Sequence, residues 1–373
     1  MKTIVVSVIN DLATDQRVAK VCNTLQKLDF KVILVGRNLK KSLPLNRDYK
    51  TKRMRLLFNK GVLFYIEYTF RLFFLLLFIK KDVLLANDLD TLLPNYLVSK
   101  LQGKKLVYDS HELFTEIPEL ANSPLKKNAW LSLEKWIFPK LKNVYTVNHK
   151  IAEIYSEKYS VAVKIIRNIA VKEVSKTTNT VLIEQLKPQN KNRKMLILQG
   201  AGINVDRGGE EAVLMMQFVT NAVLYIIGSG DVFPKLKELV IDNQLEDRVF
   251  IIDKIPYAKL KIYTRFADLG LSLDKNTNLN YEYSLPNKIF DYIQAETPLL
   301  VSNRVVVAKI VKDENIGEVI ENVTPQNLAT AVNEILKDEE KLQKWKKNLH
   351  KITDVYTWQN EAIELKKIYT NLQ

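Results

Sequence analysis

Short apolar runs alternate with helical patterns along this chain, and this alternation is the strongest constraint on its fold. Residues 3–9 form an apolar run, 18–25 carry an apolar stripe at helical spacing, and 31–36 form the next run. Strands that alternate with helices in this way pair in parallel and build an α/β domain. The same pattern starts again at 195–200 and continues at 223–228. The sequence therefore predicts two α/β domains, each built on a parallel sheet.

A polar segment separates the two patterns. Residues 172–193 are rich in Thr and Asn and show little of the periodicity of a helix or strand. A chain of 373 residues is also too long for one ordinary core. We therefore predict an N-terminal domain over 1–170, a linker over 171–194 and a C-terminal domain over 195–354. Two halves joined by one linker leave a cleft, which opens and closes by a hinge motion.

The cysteine content and the first residues bear on the compartment. Cys22 is the single cysteine, which excludes a disulfide framework and a cysteine zinc site and is typical of a reducing cytoplasm. The apolar run at 3–9 is too short for a signal peptide. We therefore expect a cytoplasmic protein.

The formal net charge of +14 predicts an anionic partner or a strongly solvated surface. Between residues 37 and 60 a single acid, Asp48, accompanies nine basic residues: Arg37, Lys40, Lys41, Arg47, Lys50, Lys52, Arg53, Arg55 and Lys60. No nucleic-acid-binding motif accompanies this charge, and aromatic residues are not interleaved with it. We therefore expect no nucleic acid partner and favour an anionic membrane surface, with a merely solvated face as the alternative.

The segment that follows, 61–79, is strongly apolar. Glu67 and Arg71, four residues apart, interrupt it, and the remainder at 72–79 is much shorter than the roughly 18 residues that a membrane span needs. We predict a helix that is largely buried or lies flat on a bilayer, flanked by the basic run and by Lys80 and Lys81.

A second segment with a clear prediction is the helix expected over 286–295. Pro286 suits the first turn of a helix, and Ser284 stands where a cap accepts a free amide. Ile289 and Ile293 repeat at helical spacing and should face the sheet.

The opening turn of this helix collects polar groups. Asn287, Lys288 and Asp291 are predicted on or near the exposed turn, where backbone donors and the lysine favour an anion and the carboxylate accepts hydrogen bonds from vicinal hydroxyls. A phosphate with a ribose would satisfy all three. The alternative is an amphipathic surface helix with a charge near its start.

Two further loops follow predicted strands. Gly200 and Gly202 allow close backbone approach, and Arg207 can bind a diphosphate with its two-pronged guanidinium. In the first domain, Asn10, Asp11 and Thr14 follow the first strand at the sheet edge where α/β folds bind ligands. They suit hydrogen bonds to an acceptor or sugar, and a capping role for Thr14 or Asp15 is supported equally well.

The sequence of residues 285–292, Leu-Pro-Asn-Lys-Ile-Phe-Asp-Tyr, resembles the donor-binding segment of family 4 glycosyltransferases. That family carries two carboxylates at a Glu-x7-Glu spacing, and the second holds the ribose of a sugar nucleotide. Asp291 occupies the second position, whereas Tyr283 occupies the first and Glu282 lies one residue out of register. The resemblance implies the glycosyltransferase type B fold, in which two Rossmann-like domains face each other across a cleft. It also implies that the final helix, about 355–373, crosses back onto the first domain.

Other motifs resemble the same family. Asp109-x-His111 is similar to a strand-end motif whose histidine contacts the donor sugar, although a single histidine is often a structural donor. Gly228-x-Gly230 is similar to the family's Gly-x-Gly turn, and Lys254 lies where the family contacts the nucleotide base through its backbone. In the Gly200 loop, Ala201 replaces the family's arginine and Arg207 replaces its lysine.

The resemblance assigns roles to the candidate residues. Leaving-group stabilisation and contact with the sugar fall to Arg207, Lys288 and His111. The donor-binding set is Gly200, Gly202, Gly228, Gly230, Lys254, Ser284, Leu285, Pro286, Asn287 and Asp291. The acceptor-side set is Asn10, Asp11, Thr14 and Asp88. Asp88 and Asp90 have the spacing of a metal motif but lie in the first domain, so we interpret them as structural or acceptor-side.

The implied activity is transfer of a sugar from a UDP-sugar or GDP-sugar, with retention of anomeric configuration and without a metal or other cofactor. The expected acceptor is a lipid-linked or cell-surface polysaccharide intermediate, and the expected location is the cytoplasm or the inner face of the cell membrane. Two alternatives remain: a nucleotide-sugar epimerase of the same fold, and a catalytically weak partner subunit. Ala201 and Tyr283 favour the second of these.

Overall fold

The computed structural model describes residues 1–13, 15–39, 42, 44–121, 123–172 and 193–372. Thr14, Lys40, Lys41 and most of the predicted linker at 171–194 lie outside the described residues.

The chain divides into two compact units. The N-terminal unit contains Met1–Asn168 together with Trp358–Gln373, and the C-terminal unit contains Ile169–Thr357. Each unit has its own parallel sheet and its own hydrophobic core.

The N-terminal sheet is formed by parallel strands that alternate with helices along the chain. Its strands are β1 (Thr3–Asp11), β2 (Lys31–Arg37), β3 (Lys50–Met54), β4 (Val83–Asn87), β5 (Lys105–Ser110), β6 (Val144–Thr146) and β7 (Val163–Ile165). Their order across the sheet is β3-β2-β1-β4-β5-β6-β7. β1 continues to Asp11, so Asn10 and Asp11 end a strand rather than begin a loop. β6 pairs in parallel with β7, the last strand of this sheet along the chain.

The helices of this unit cover the sheet. They are α1 (Gln16–Lys27), α2 (Gly61–Phe78), α3 (Leu89–Gln102), α4 (Pro118–Ala121), α5 (Pro124–Ile137) and α6 (His149–Tyr159), with short 3₁₀ turns at Phe114–Glu116 and Phe138–Lys140. Asp15 directly precedes α1, and its carboxylate accepts the amide of Val18 at 3.0 Å. Asp15 is therefore a cap residue, as one of the two alternatives predicts.

The C-terminal sheet repeats the same topology. Its strands are β8 (Lys194–Gly200), β9 (Ala222–Gly228), β10 (Val249–Asp253), β11 (Leu269–Ser272), β12 (Leu299–Ser302) and β13 (Gly317–Ile320). Their order across the sheet is β10-β9-β8-β11-β12-β13. The helices are α7 (Gly209–Met215), α8 (Phe233–Asp242), α9 (Tyr257–Phe266), α10 (Leu279–Glu282), α11 (Lys288–Ala295), α12 (Val305–Glu314), α13 (Pro325–Lys337) and α14 (Glu339–Ile352).

The last helix, α15 (Trp358–Thr370), belongs to the N-terminal unit. The indole nitrogen of Trp358 donates to Oγ1 of Thr24 at 3.0 Å, and Glu361 pairs with Arg167 at 2.6 Å. Leu365 and Tyr369 are buried in the core of that unit. The chain therefore ends on the unit in which it began.

The position of α11 depends on one tyrosine. The hydroxyl of Tyr292 lies 3.1 Å from the carbonyl oxygen of Ile197 on β8 and 3.0 Å from that of Leu271 on β11. The ring has room because Gly270 has no side chain: a Cβ atom there would lie 2.8 Å from the ring. This contact holds α11 across the two central strands of the C-terminal sheet.

In both sheets the strand order reverses at the first strand of the unit. Chain connections on either side of that strand run in opposite directions, which opens a crevice at the carboxyl ends of the strands. The reversal lies between β1 and β4 in the N-terminal sheet and between β8 and β11 in the C-terminal sheet. Ligands of open α/β sheets bind at these positions.

Candidate active site

The reversal point of the C-terminal sheet brings together two of the predicted cations. β8 ends at Gly200, and a Cβ atom added to this glycine would lie 3.9 Å from Cε of Lys288. Asp274, which follows the neighbouring strand β11, accepts a hydrogen bond from Arg207 at 2.9 Å. Loops from two adjacent strands and the start of α11 therefore meet at one place.

Arg207 is held in a fixed orientation. Its Nη1 pairs with the buried carboxylate of Asp274, and its guanidinium lies 4.3 Å from the centre of the Tyr281 ring. Gly208 follows with a φ of 73°, and a Cβ atom there would collide with Leu273. The loop therefore requires glycine at this position to place Arg207 against the end of β11.

Lys288 is buried, although the sequence predicts it on an exposed turn. Only 8% of its surface is accessible, and its Cε atom lies close to Gly200 at the end of β8. Burial lowers the pKa of Lys288 from 10.5 to about 8; Asp274 acts to raise it and Arg207 to lower it. The pKa of Lys288 therefore responds to both Asp274 and Arg207, which places the two cations near one carboxylate.

Asp291 lies one turn along α11 from Lys288. Its carboxylate accepts hydrogen bonds from Nε2 of Gln199 at 3.1 Å and from the hydroxyl of Tyr257 at 2.7 Å. Gln199 is itself fixed by the hydroxyl of Thr264, which donates to it at 2.6 Å. The carboxylate also borders a hollow of about 220 Å³ in the C-terminal unit. Asp291 is therefore oriented by its neighbours at the same edge of the sheet as Lys288.

At three of the four predicted donor-binding glycines, Gly200, Gly228 and Gly230, an added Cβ atom would lie within 4 Å of other atoms of the unit. A Cβ atom at Gly228 would lie 1.7 Å from the carbonyl oxygen of Gly200, and one at Gly230 would lie 1.8 Å from that of Ile203. The loops after β8 and β9 therefore contact each other through their backbones. Gly202 differs, since among the described residues beyond its two chain neighbours no atom lies within 4 Å of a Cβ atom built on it. The backbone of Gly202 is therefore more accessible to a ligand than the backbone of the other three glycines.

The segment before α11 differs from its prediction at two positions. α11 begins at Lys288 with Asn287 as its cap residue, and Ser284 instead donates to the carbonyl oxygen of Tyr281 at 3.0 Å. Ser284 is therefore not the cap of this helix. Leu285 is buried in the core, whereas Asn287 is exposed. The partly buried Pro286 accepts the amide of Ile289 through its carbonyl, so the segment already turns before α11 starts.

The two residues near the first carboxylate position of the family pattern are Glu282 and Tyr283, and neither offers a carboxylate that is not already paired. Glu282 forms an ion pair with Arg304, and the position itself is occupied by Tyr283. Lys254, predicted near the nucleotide base, is exposed directly after β10.

In the N-terminal unit, His111 lies between two carboxylates. Its Nδ1 is 3.0 Å from Asp88, and its Nε2 is 3.2 Å from Asp109. Asp109 is buried and also receives two hydrogen bonds from Arg17, at 2.7 and 3.0 Å. The two carboxylates hold the pKa of His111 well above its ordinary value despite the opposing effect of burial. The two carboxylates therefore favour the charged imidazolium, which donates hydrogen bonds to them.

Asp88 is fixed at the end of β4 in an unusual conformation. Its φ is 60°, in a region that residues with a side chain rarely adopt. Its amide donates to the carbonyl of Asp109, and its carboxylate accepts the amide of His111 at 2.8 Å. The neighbouring Asp90 is buried, which raises the pKa of its carboxyl well above the ordinary value. The carboxyl edge of β4 and β5 therefore carries a constrained polar cluster.

The other acceptor-side residues are also engaged. Asn10 donates to Asp15 at 3.1 Å, and Asp11 pairs with Arg53 at 2.7 Å and accepts the hydroxyl of Ser42 at 2.5 Å. Thr14 lies outside the described residues. Within the part of the chain that the structure describes, no three His, Cys, Asp or Glu side chains are grouped to hold a metal ion.

Four site residues are absent from the sequence prediction. Asp274 pairs with Arg207, Tyr281 stacks on it, and Gln199 and Tyr257 orient Asp291. Two of them carry a usable signal: Asp274 directly follows a buried strand, and Gln199 is a polar residue inside one. Tyr257 and Tyr281 show no local pattern that would distinguish them.

Solved structures share this architecture. Sucrose-phosphate synthase from Thermosynechococcus elongatus matches with a TM-score of 0.83 at 14% identity, over 100% of this chain and 99% of that one. Anabaena HepE in complex with UDP-glucose matches with a TM-score of 0.75 at 12% identity, over 100% of both chains. WaaG, a glycosyltransferase involved in lipopolysaccharide biosynthesis, matches with a TM-score of 0.69 at 15% identity, over 96% and 98%. The class is thus an α/β protein with two Rossmann-like domains of the glycosyltransferase type B fold, as predicted.

Family models identify the chain more closely. Residues 15–169 match the model described as Glycosyltransferase Family 4, and residues 210–352 match the one described as Glycosyl transferases group 1. No curated protein matches the sequence. The chain belongs to the family 4-type glycosyltransferases, which confirms the predicted family and the predicted transferase class.

Proposed function

We propose that this glycosyltransferase moves a sugar from a nucleoside-diphosphate sugar to a lipid-linked or cell-surface polysaccharide intermediate, with retention and without a metal ion. The observation that carries the proposal is that Arg207, which pairs with Asp274, and the buried Lys288 meet at the same end of the C-terminal sheet, where Asp274 acts to raise the pKa of Lys288 and Arg207 to lower it. These two cations place positive charge at the reversal point of a Rossmann-like sheet. A diphosphate would compensate this charge.

The donor class is supported by the geometry around α11 and by a structural relative. HepE has been solved with UDP and with UDP-glucose. In this chain Asp291 is oriented by Gln199 and Tyr257, so it can accept hydrogen bonds from the two hydroxyls of a ribose. Lys288 lies one turn away, which suits the separation of a ribose from its phosphates.

In the proposed reaction the bond between the anomeric carbon and the diphosphate oxygen breaks while an acceptor hydroxyl bonds to the same face of that carbon. The acceptor proton passes to the departing phosphate oxygen. Negative charge grows on the diphosphate as its bond to the sugar lengthens. Arg207 and Lys288 would stabilise this charge, which is the contribution that a metal ion makes in other transferases.

The proposal is tested by incubating the protein with UDP-glucose, UDP-galactose, UDP-N-acetylglucosamine and GDP-mannose, with and without a lipid-linked acceptor. We expect acceptor-dependent release of one nucleoside diphosphate, unchanged by EDTA, and NMR should show the product in the donor's anomeric configuration. Conversion of the donor sugar without acceptor would instead identify an epimerase. Absence of release from every donor would favour a partner subunit without its own activity.

The affinity for UDP should decrease as the pH rises from 7 to about 9.5. The pKa of Lys288 is about 8 in the free protein, and a bound diphosphate favours the charged amine and raises this pKa. Binding therefore takes up a proton at pH values above 8, and the Kd should increase up to about tenfold per pH unit. The charge of UDP itself is nearly constant here, because its terminal phosphate titrates at about 6.

Calorimetric titration of UDP at several pH values measures this dependence. The Lys288→Met variant is the control and should bind weakly with little pH dependence. A Kd that is constant for the wild type would show that Lys288 does not contact the phosphates.

A further inference from the structure

Helix α2 has apolar side chains on two opposite faces. Phe64, Tyr68, Leu72 and Leu76 recur every four residues and are buried against the N-terminal sheet. Residues two positions apart on an α-helix are rotated by about 200° about its axis. The residues two positions before or after the buried ones therefore form a second row on the opposite face. That row is 42–84% exposed and consists of Val62, Ile66, Phe70, Phe74 and Phe78. We call this second row the apolar face of α2.

A groove extends this face. A hollow of about 480 Å³ lies between α2, α3 and α5, and its walls are almost entirely carbon. Ile66 and Phe70 form one wall, Leu93 and Leu97 the second, and Trp130 the third. Apolar surface of this extent is uncommon on a protein that has no partner for it.

The carboxylate of Glu67 on α2 holds two further apolar residues, Leu57 and Phe58, beside the helix. The carboxylate of Glu67 accepts the amides of Leu57 and Phe58 at 2.9–3.0 Å and pairs with Arg71 at 2.7 Å. These bonds hold the pKa of Glu67 below its ordinary value. Leu57 is 78% exposed and Phe58 44% exposed. Glu67 therefore adds apolar surface beside α2 while its own charge is compensated.

Positive charge flanks this surface. Lys60 and Lys80 are exposed just before and just after α2. On β3, Lys50 and Lys52 are exposed and alternate with the residues that point to the other side of the sheet. Met54, on the same side as these lysines, packs against the core under α2. Four lysines thus lie on the side of the sheet that α2 covers.

We propose that the apolar face of α2, together with Leu57 and Phe58, inserts into the interface of an anionic lipid bilayer. Apolar side chains flanked by lysines fit such a surface, where acyl chains accept the apolar side chains and lipid phosphates pair with the lysines. α2 is long and apolar enough to cross a membrane. However, its buried row is part of the core, and Tyr68 donates to the carbonyl of Val8 at 2.9 Å. The helix therefore lies on the bilayer while it stays packed on its sheet.

Sedimentation of the full-length protein with vesicles tests the insertion. The vesicles contain phosphatidylcholine alone or mixed with phosphatidylglycerol. We expect binding to the mixed vesicles, and we expect Phe70→Glu with Phe74→Glu to weaken it by at least about tenfold. The matched control is Phe218→Glu with Ile241→Glu, which places the same two charges at apolar positions of the C-terminal unit that are 48% and 63% exposed and should bind like the wild type. Equal binding by all three proteins would overturn the proposal.

The lysines provide an independent measurement. Replacing Lys50, Lys52, Lys60 and Lys80 by glutamine should remove the preference for phosphatidylglycerol. The same change at Lys312, Lys344, Lys347 and Lys366, which are exposed elsewhere, should leave this preference intact.

Analytical ultracentrifugation without lipid tests whether the apolar face of α2 instead joins two copies of the chain. If the wild type is a dimer that the phenylalanine variant dissociates, and no vesicles are bound, the face joins two copies of the chain and the lipid proposal is wrong.

Discussion

Replacing Arg207 by alanine should slow sugar transfer by about 100- to 1,000-fold, the loss that follows removal of one fixed group stabilising a departing anion. Arg207 is the permanent cation of the site, since guanidinium does not lose its proton in proteins. Its contact with Asp274 at 2.9 Å and its position over the Tyr281 ring fix it before any ligand arrives. The decrease should therefore appear mainly in kcat, because the diphosphate carries its largest charge in the transition state.

The control for this variant is Arg193→Ala. Arg193 lies just before β8, at the opposite end of the strand from Gly200, and it also pairs with an aspartate, Asp247 at 3.5 Å. Removal of this pair should change transfer less than about twofold. Lysine at position 207 should restore only part of the rate, because it cannot stack on Tyr281 or donate two parallel hydrogen bonds. A near-normal rate for Arg207→Ala would remove this residue from the site.

The sequence alone predicts the fold and the edge of the sheet at which the site lies, because both follow from local periodicity. Apolar runs of strand length mark β8 and β11, and parallel strands place the residues that follow them at one edge. This reasoning identifies Arg207, which follows a strand, and Lys288, which stands at the start of a helix. The distance between these two residues cannot be predicted in the same way.

Partners distant in sequence could not be predicted in this way. Arg207 and Asp274 are 67 residues apart, and Gln199 and Asp291 are 92 apart. No periodic pattern relates such pairs, and only the packing of loops and helices brings them together. The burial of Lys288 has the same origin, because it depends on Tyr292 holding α11 across β8 and β11.

The N-terminal unit shows the same limit. The position of His111 after β5 follows from the sequence, but its chemical state depends on Asp88, which comes from a different strand. Carboxylates beside a histidine favour its charged form, whereas burial opposes it. A histidine at this position therefore indicates a polar site, but the residues around it decide whether it donates or accepts a proton.

Replacing Lys288 by methionine should abolish most of the transfer activity and at the same time stabilise the fold by about 2 kcal/mol at pH 7. The lowering of the pKa from 10.5 to about 8 shows that the folded protein holds the charged amine less favourably than water does. Methionine keeps the aliphatic length without the charge, and Asp274 retains Arg207 as its partner. Transfer should decrease by about 100-fold or more, because the second cation beside the diphosphate is lost.

The pH dependence of unfolding separates this explanation from better packing. Below pH 8 the amine is charged in both the folded and the unfolded state, so the full penalty applies. Between pH 8 and 10.5 the folded protein releases the proton while the unfolded chain keeps it, so the wild type gains stability as the pH rises.

Urea unfolding at pH 7 and at pH 9.5 should therefore show that the advantage of Lys288→Met decreases with pH. Lys254→Met, at an exposed position of the same unit, should change neither stability nor its pH dependence. An advantage of Lys288→Met that is the same at both pH values would mean that packing, and not the buried charge, makes the difference. A buried lysine retained at a cost in stability is expected where the protein needs its charge for a ligand, and the loss of activity in the same variant would show that need directly.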